Sequence, residues 1–133
     1  MPQFHSDAAE TATEEMNDFF KGYIMAMYWT ETGDGEQPDS EIELSSEARD
    51  RAYNDCLAFQ SVYAWPLAAA YDRVGYDEAR AGHDFWLTRN GHGTGFWDRD
   101  ELGEERDLLS DGARGMGACD AYEGDDGLLY LGG

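Results

Sequence analysis

"HDFWLTRNGHGTGFWDRD", residues 83–100, is the stretch on which the fold turns. It sets two His, two Trp and two Phe around a single Asn-Gly step. Asp84-Phe85-Trp86-Leu87-Thr88-Arg89 is rich in strand formers, and Phe96-Trp97-Asp98-Arg99 is a second short run of the same kind. Between them lies "NGHGTG", where Asn90 and the glycines adopt positive φ at little cost. The pattern predicts a β-hairpin over 83–99. Its structural residues are Phe85, Trp86, Arg89, Asn90, Gly91, Phe96 and Trp97, with Arg89 and Arg99 paired to carboxylates and stacked on the Trp faces.

The flanking chain fills in the rest. Thr11 and Glu14 fit a capping box. Met16, Phe19, Phe20, Tyr23, Ile24, Met27 and Tyr28 then recur at helical steps, so a helix with a wide aromatic face follows. "ETGDGEQPDSEIELSSE" (31–47) holds seven acids and no base, and reads as an extended acidic loop. A second helix starts at Ser45 or Ser46, burying Ala48, Ala52, Cys56, Phe59 and Tyr63 and turning Glu47, Asp50 and Asp55 to water. Pro66 either kinks it or opens a new helix that runs to Gly75. A short helix around 103–114 points Leu108 and Leu109 inward. "CDAYEGDDGLLYLGG" repeats the hairpin logic over 118–131. The expected class is α+β, with N-terminal helices packed on a small antiparallel sheet made of two hairpins, 83–99 and 118–131. Residues 1–10 read as a flexible N-terminus and 11–133 as one domain.

Composition bounds the function more sharply than any motif. Twenty-nine Asp and Glu oppose nine Lys and Arg in 133 residues, a net charge of −20. Lys21 is the only lysine. Such an excess raises self-repulsion and opposes the compact state, so salt, a cationic partner or selection for the charge itself has to compensate. Direct binding to nucleic acid or to an anionic membrane is disfavoured. No apolar run is long enough to span a bilayer, and the N-terminus lacks a secretory pattern. Cys56 and Cys119 make no disulfide framework and read as small buried hydrophobes of a reducing cytoplasm.

Chemical motifs are weak. His83 and His92, on opposite limbs of the expected hairpin with Asp84 and Asp98 nearby, could hold zinc or iron. Their spacing matches no metal motif, so no metal and no cofactor is expected, and an enzyme built on them ranks last. There is no G-x-S-x-G, neither cysteine has an electropositive surround, and no Lys follows "GHGTG" to make a phosphate loop.

"AGHDFWLTRNGHGTGFWDR" (81–99) resembles a segment found in a family of small, mostly uncharacterised acidic proteins of phages, prophages and plasmids. "FFKGYIMAMYWTE", "DCLAFQ" and "YEGDDGLLY" extend the likeness over most of residues 17–130. The resemblance implies a mobile-element origin and brings no catalytic residues with it. Very acidic mobile-element proteins, such as anti-restriction and some anti-CRISPR proteins, occupy host defence proteins by imitating DNA. Twenty charges equal those on roughly 34 Å of duplex at about one charge per 1.7 Å. A chain of this length folds to a diameter of roughly 36 Å. The expected function is therefore that of a cytoplasmic, non-enzymatic inhibitor or decoy that binds a basic host protein or nucleoprotein complex. The acids expected to carry it are Glu31, Asp34, Glu36, Asp39, Glu41, Glu43, Glu47, Glu104, Glu105, Asp125 and Asp126. The competing expectation is salt adaptation, which needs no acidic binding face.

Overall fold

Ser45 shows how the chain enters its helices. Its backbone is extended, at φ −64° and ψ 158°, and its hydroxyl accepts the Ala48 amide at 3.0 Å, so the first turn of the next helix starts with one free donor satisfied. That helix belongs to a computed structural model in which residues 18–30 and 43–132 are described. The Thr11–Glu14 cap and the flexible start expected over 1–10 lie outside the described residues.

The helix α1 is described over residues 18–30, and α2 spans Ser46–Val62. On α1, Phe19, Tyr23, Ala26 and Met27 form the buried face; on α2, Ala48, Ala52, Cys56 and Phe59 do. Pro66 decides what comes next. It has no N–H to give Val62 four residues earlier, so α2 ends at Val62 and α3 spans Ala64–Tyr71 with Pro66 in its first turn. The new helix is shorter than expected and gives way to turns before Gly75.

The expected first hairpin is not there. Residues Glu78–Arg89 form α4, capped by Asp77, whose carboxylate accepts the Arg80 amide at 2.9 Å. Asn90-Gly91 ends this helix and is not a hairpin turn. Gly91 sits at φ 70°, its amide bonds to the Thr88 carbonyl at 3.2 Å, and the His92 amide bonds to the Leu87 carbonyl at 3.0 Å. These are the paired bonds of a Schellman cap. Phe96–Asp98 is a single 3-10 turn.

The reason the strand reading fails is burial. Eight of the twelve residues of α4, including every one from Asp84 to Arg89, are buried, so the helix lies in the middle of the molecule. A helix covered on all sides loses the polar stripe that would mark its period. At its crossing with α1 the backbones touch. A Cβ on Gly82 would stand 1.8 Å from the Phe19 carbonyl oxygen, and one on Gly22 would stand 2.0 Å from that of Ala79.

The helix α5 spans Glu105–Gly115, and Leu109 is buried while Leu108 is 41% exposed, so only one of that pair points inward. The strands β1 (Asp120–Glu123) and β2 (Leu129–Gly132) pair antiparallel with Tyr122 opposite Tyr130, which gives the expected second hairpin. Leu44 adds a parallel bridge beside Leu129, with the Leu129 amide bonded to the Glu43 carbonyl and the Ser45 amide to the Leu129 carbonyl, both at 2.8 Å. The class is α+β, with helices packed against one small two-stranded antiparallel sheet. Phe59 stacks between Phe85 (4.3 Å between centroids) and Phe96 (5.8 Å) at the centre of the core.

Candidate functional site

The arginines turn inward. Arg89, in the last turn of α4, has a side chain only 1% exposed. It donates to Asp55 Oδ2 at 2.8 Å, to the Tyr23 hydroxyl at 3.0 Å and to the Gly117 carbonyl at 2.8 Å, and lies 5.3 Å over the Phe85 ring. Asp55, expected to face water, is drawn in to answer it. Arg99 grips the fully buried Asp84 with two nitrogens, Nη2 to Oδ1 at 2.7 Å and Nε to Oδ2 at 3.0 Å, and the Tyr76 hydroxyl donates to the same carboxylate at 2.8 Å. Arg73 grips Glu105 in the same forked way, at 2.9 and 3.0 Å. The fork matches the guanidinium plane to the carboxylate plane, which a lysine cannot do. Burial pushes the Tyr23 and Tyr76 hydroxyls far above their ordinary range, so both stay protonated, Tyr76 donating to Asp84 and Tyr23 accepting from Arg89.

The rest of the 83–100 stretch is engaged in the same internal way. The Trp86 indole N–H donates to Thr30 Oγ1 at 2.8 Å, and its ring meets Tyr23 edge-on, so no Trp–Arg ladder forms. Thr88 Oγ1 accepts the Phe96 amide at 3.1 Å, and Asn90 Oδ1 accepts the Cys119 amide at 2.7 Å. Asp98 accepts both the Thr94 hydroxyl and the Gly95 amide. Trp97 is exposed. His83 lies on α4 and His92 beyond its cap, so they are not facing limbs of a hairpin. Burial holds the His83 imidazole below its ordinary pKa, against the pull of Asp84. Among the described residues, no three His, Cys, Asp or Glu side chains stand where one metal ion could be held. Cys56 and Cys119 are both free and buried, and burial pushes both thiols up.

Of the acids expected to form a binding surface, Glu31, Asp34, Glu36, Asp39 and Glu41 lie outside the described residues. Glu43, Glu47, Glu104, Asp125 and Asp126 are exposed. Glu105 is not a surface acid. It is 2% exposed, and the hydrogen bonds from Arg73 hold its carboxyl down to about 2. The sequence reading also missed outward acids. Asp107 and Asp111 are exposed on α5 at helical spacing from Glu104, with Asp111 in a loose 3.9 Å pair with exposed Arg114. Asp120 and Glu123 are exposed on β1. The helical phase of Glu104 would have found the α5 row.

The hairpin carries an aromatic feature beside its acids. The Tyr122 and Tyr130 rings stack at 5.9 Å and 24°. Each leans over a glycine across the hairpin, Gly124 just after β1 and Gly132 at the end of β2: a Cβ on Gly124 would meet Tyr130 Cε1 at 2.5 Å, and one on Gly132 would meet Tyr122 Cε1 at 3.3 Å. The Tyr130 hydroxyl donates to Asp126 Oδ2 at 2.5 Å, which lowers the Asp126 pKa. Tyr122, Glu123, Gly124, Asp125, Asp126 and Tyr130 line a shallow concavity of about 560 Å³. Among the described residues, none of the ion pairs involves Asp120, Glu123, Asp125 or Asp126. Among those same residues, no helix is long and apolar enough to cross a membrane. Comparison of the chain with protein-family models, with curated proteins and with solved structures finds no match.

Proposed function

We propose that this chain is a phage-type, non-enzymatic inhibitor or decoy of the host cytoplasm, whose acidic surface stands in for nucleic acid and occupies a basic host protein. The observation that carries the reading is the inward turn of the arginines. Arg73, Arg89 and Arg99 each lock onto a particular carboxylate, and two of those carboxylates, Asp84 and Glu105, are buried. Cations used in this way cannot neutralise the exterior. What faces water is a row of acids, Glu104 at the cap of α5 with Asp107 and Asp111 on the helix, at axial steps of about 4.5 and 6 Å, the last of them loosely paired with Arg114. A nucleic-acid strand presents a phosphate about every 3.4 Å of axis, so the row is a sparser line of like charge. A second acidic region surrounds the hairpin. Glu43, itself exposed, is hydrogen-bonded there through its carbonyl to the Leu129 amide of β2.

A partner with a nucleic-acid groove meets this surface with Lys and Arg, releasing counterions as it would on DNA. The test is a competition. Capture from host lysate at low salt should retain a nucleic-acid-handling protein that high salt or excess duplex DNA removes. Changing Glu36, Asp39, Glu41 and Glu43 to their amides should slow association without unfolding the chain, because rim charges act mainly on the on-rate. Simultaneous binding of DNA and this protein to one target would overturn the proposal. An acid coat that serves only salt adaptation predicts no target displaced by DNA at all.

A further inference from the structure

We infer that the solvent face of the β1–β2 sheet is a docking platform for an arginine side chain of the basic protein partner, with Tyr122 and Tyr130 as its floor and Asp125 and Asp126 at its rim. The inference rests on the proposed acidic-surface function and says where on that surface the partner is gripped.

Three observations lead there. First, among the described residues none covers Tyr122, which is 53% exposed although it is a large aromatic side chain in register with another. Second, the face is built flat. Gly124 and Gly132 supply the room in which the two rings lie, and the hydrogen bond to Asp126 fixes Tyr130 in its tilt. Third, among the described residues no ion pair involves its acids, in contrast to the acids that Arg73, Arg89 and Arg99 grip in the helical part of the molecule.

An electron-rich ring face beside a carboxylate complements a guanidinium, which stacks through its plane and donates through its edge. An ammonium gains the charge attraction and loses the stacked, forked geometry. The concavity, about 560 Å³ and open to solvent, has ample room for a guanidinium side chain but is lined by only six residues, whereas a stable protein interface buries about 800 Å² on each partner. The platform is therefore an anchor within a larger acidic contact. It governs how long the partner stays, while the surrounding carboxylates govern how fast it arrives.

The experiment is an amide-resolved NMR titration of the full chain with a Gly-Arg-Gly-Arg-Gly peptide, its lysine counterpart and its neutral citrulline counterpart. The arginine peptide should shift amides within 120–132 and bind about three- to fivefold more tightly than the lysine peptide, the range an exposed cation–π contact supplies. The citrulline peptide should shift nothing. Tyr122→Leu should erase the arginine preference and Tyr122→Phe should keep it, with undisturbed amides across β2 showing that each variant retains the hairpin. Equal affinity for arginine and lysine, or an unchanged preference in Tyr122→Leu, would overturn the platform. Arginine-peptide shifts over 104–111 but not over 120–132 would remove the platform and leave the acidic-surface function standing. Shifts nowhere at low salt would remove both.

Discussion

Placing a methyl group on Gly82 tests the crossing that organises the helices. The added Cβ would lie 1.8 Å from the Phe19 carbonyl oxygen, 2.7 Å from its carbon and 3.0 Å from the Tyr23 nitrogen. All three are backbone atoms of α1, so no side-chain rotation relieves the clash. Ordinary contact near 3.4 Å requires α1 and α4 to part by about 1.6 Å, the difference between the two distances. That gap would open the contacts of Phe19 with Phe85 and of Tyr23 with Phe85 and Trp86, now at centroid distances of 6.0, 5.2 and 5.3 Å. The loss resembles truncating one buried aromatic, about 3–5 kcal/mol. Alanine returns about 1 kcal/mol of helix propensity over glycine. The expected net destabilisation of Gly82→Ala is about 2–4 kcal/mol, or roughly 10 °C in melting temperature for a chain of this size. Calorimetry with a parallel urea titration measures it. Gly115→Ala, at the end of α5 with open space around its Cβ, serves as control and should melt within about 2 °C of the parent. If Gly82→Ala melts with the control, α1 and α4 do not cross there. Residues 83–99 could then again be a hairpin, for which Gly82 is only a lead-in.

Other consequences can be measured on the same material. Trp86→Ala should cost about 3–5 kcal/mol, whereas His92→Ala should stay within about 0.5 kcal/mol; stoichiometric zinc or iron lost with His83 or His92 would reverse that ranking. Arg73 holds the Glu105 carboxyl at about 2, below its ordinary 4.5. The unfolded chain therefore binds this proton first as pH falls, and stability should be lost between about pH 4.5 and pH 2. Glu105→Gln should flatten that part of the curve, and a parental slope in the variant would show that the pair does not produce it. Raising ionic strength from low to moderate should raise the melting temperature, since the Debye length shrinks to about 8 Å at 0.15 M; a flat response would mean that the acids are locally compensated.

How much of this was legible depends on which residues speak locally. Ser45 as a cap, the Ala48–Phe59 stripe, the break at Pro66 and the Glu-Gly-Asp-Asp-Gly turn between β1 and β2 all follow from short-range chemistry. The helix α4 was hidden for two reasons. Its second half, Asp84 to Arg89, is buried all round, which erases the period there, and Asn-Gly with a positive φ serves a hairpin turn and a helix end alike. Asp77 and Glu78 at its start and Arg89 at its end sit where the helix dipole favours those charges, a signal that the hairpin reading passed over. At the candidate site, Glu104 and Glu105 are adjacent in sequence and opposite in fate. The difference is Arg73, thirty-two residues from Glu105, and no local pattern announces it. The tyrosine platform was half visible: the strands and their turn could be read, but the register that sets Tyr122 against Tyr130 needed the pairing itself.

The scarcity of lysine acquires a structural reason. Among the described residues, six of the eight arginines stand in ion pairs, and the three tightest need a forked planar cation in a partly or wholly dry site. Arginine suits that task because it stays charged when buried and is more weakly hydrated than an ammonium. Lysine's usual place is the wet surface, and it is there that this chain carries acids. A salt-loving host is therefore not required to explain the shortage of lysine. The remaining question is whether the surface is acidic for stability or for binding, and the two ends oppose one another. On a chain of −20, replacing exposed Asp111 in the middle of α5 by lysine relieves repulsion, gives up only the loose exposed pair with Arg114, and should raise the low-salt melting temperature. If the row stands in for phosphates, the same change should weaken the basic partner's association and reduce its salt dependence. A protein made more stable and less able to bind is the result expected of a surface selected against its own stability. If the lysine variant gains stability and binds as before, this row does not meet the partner.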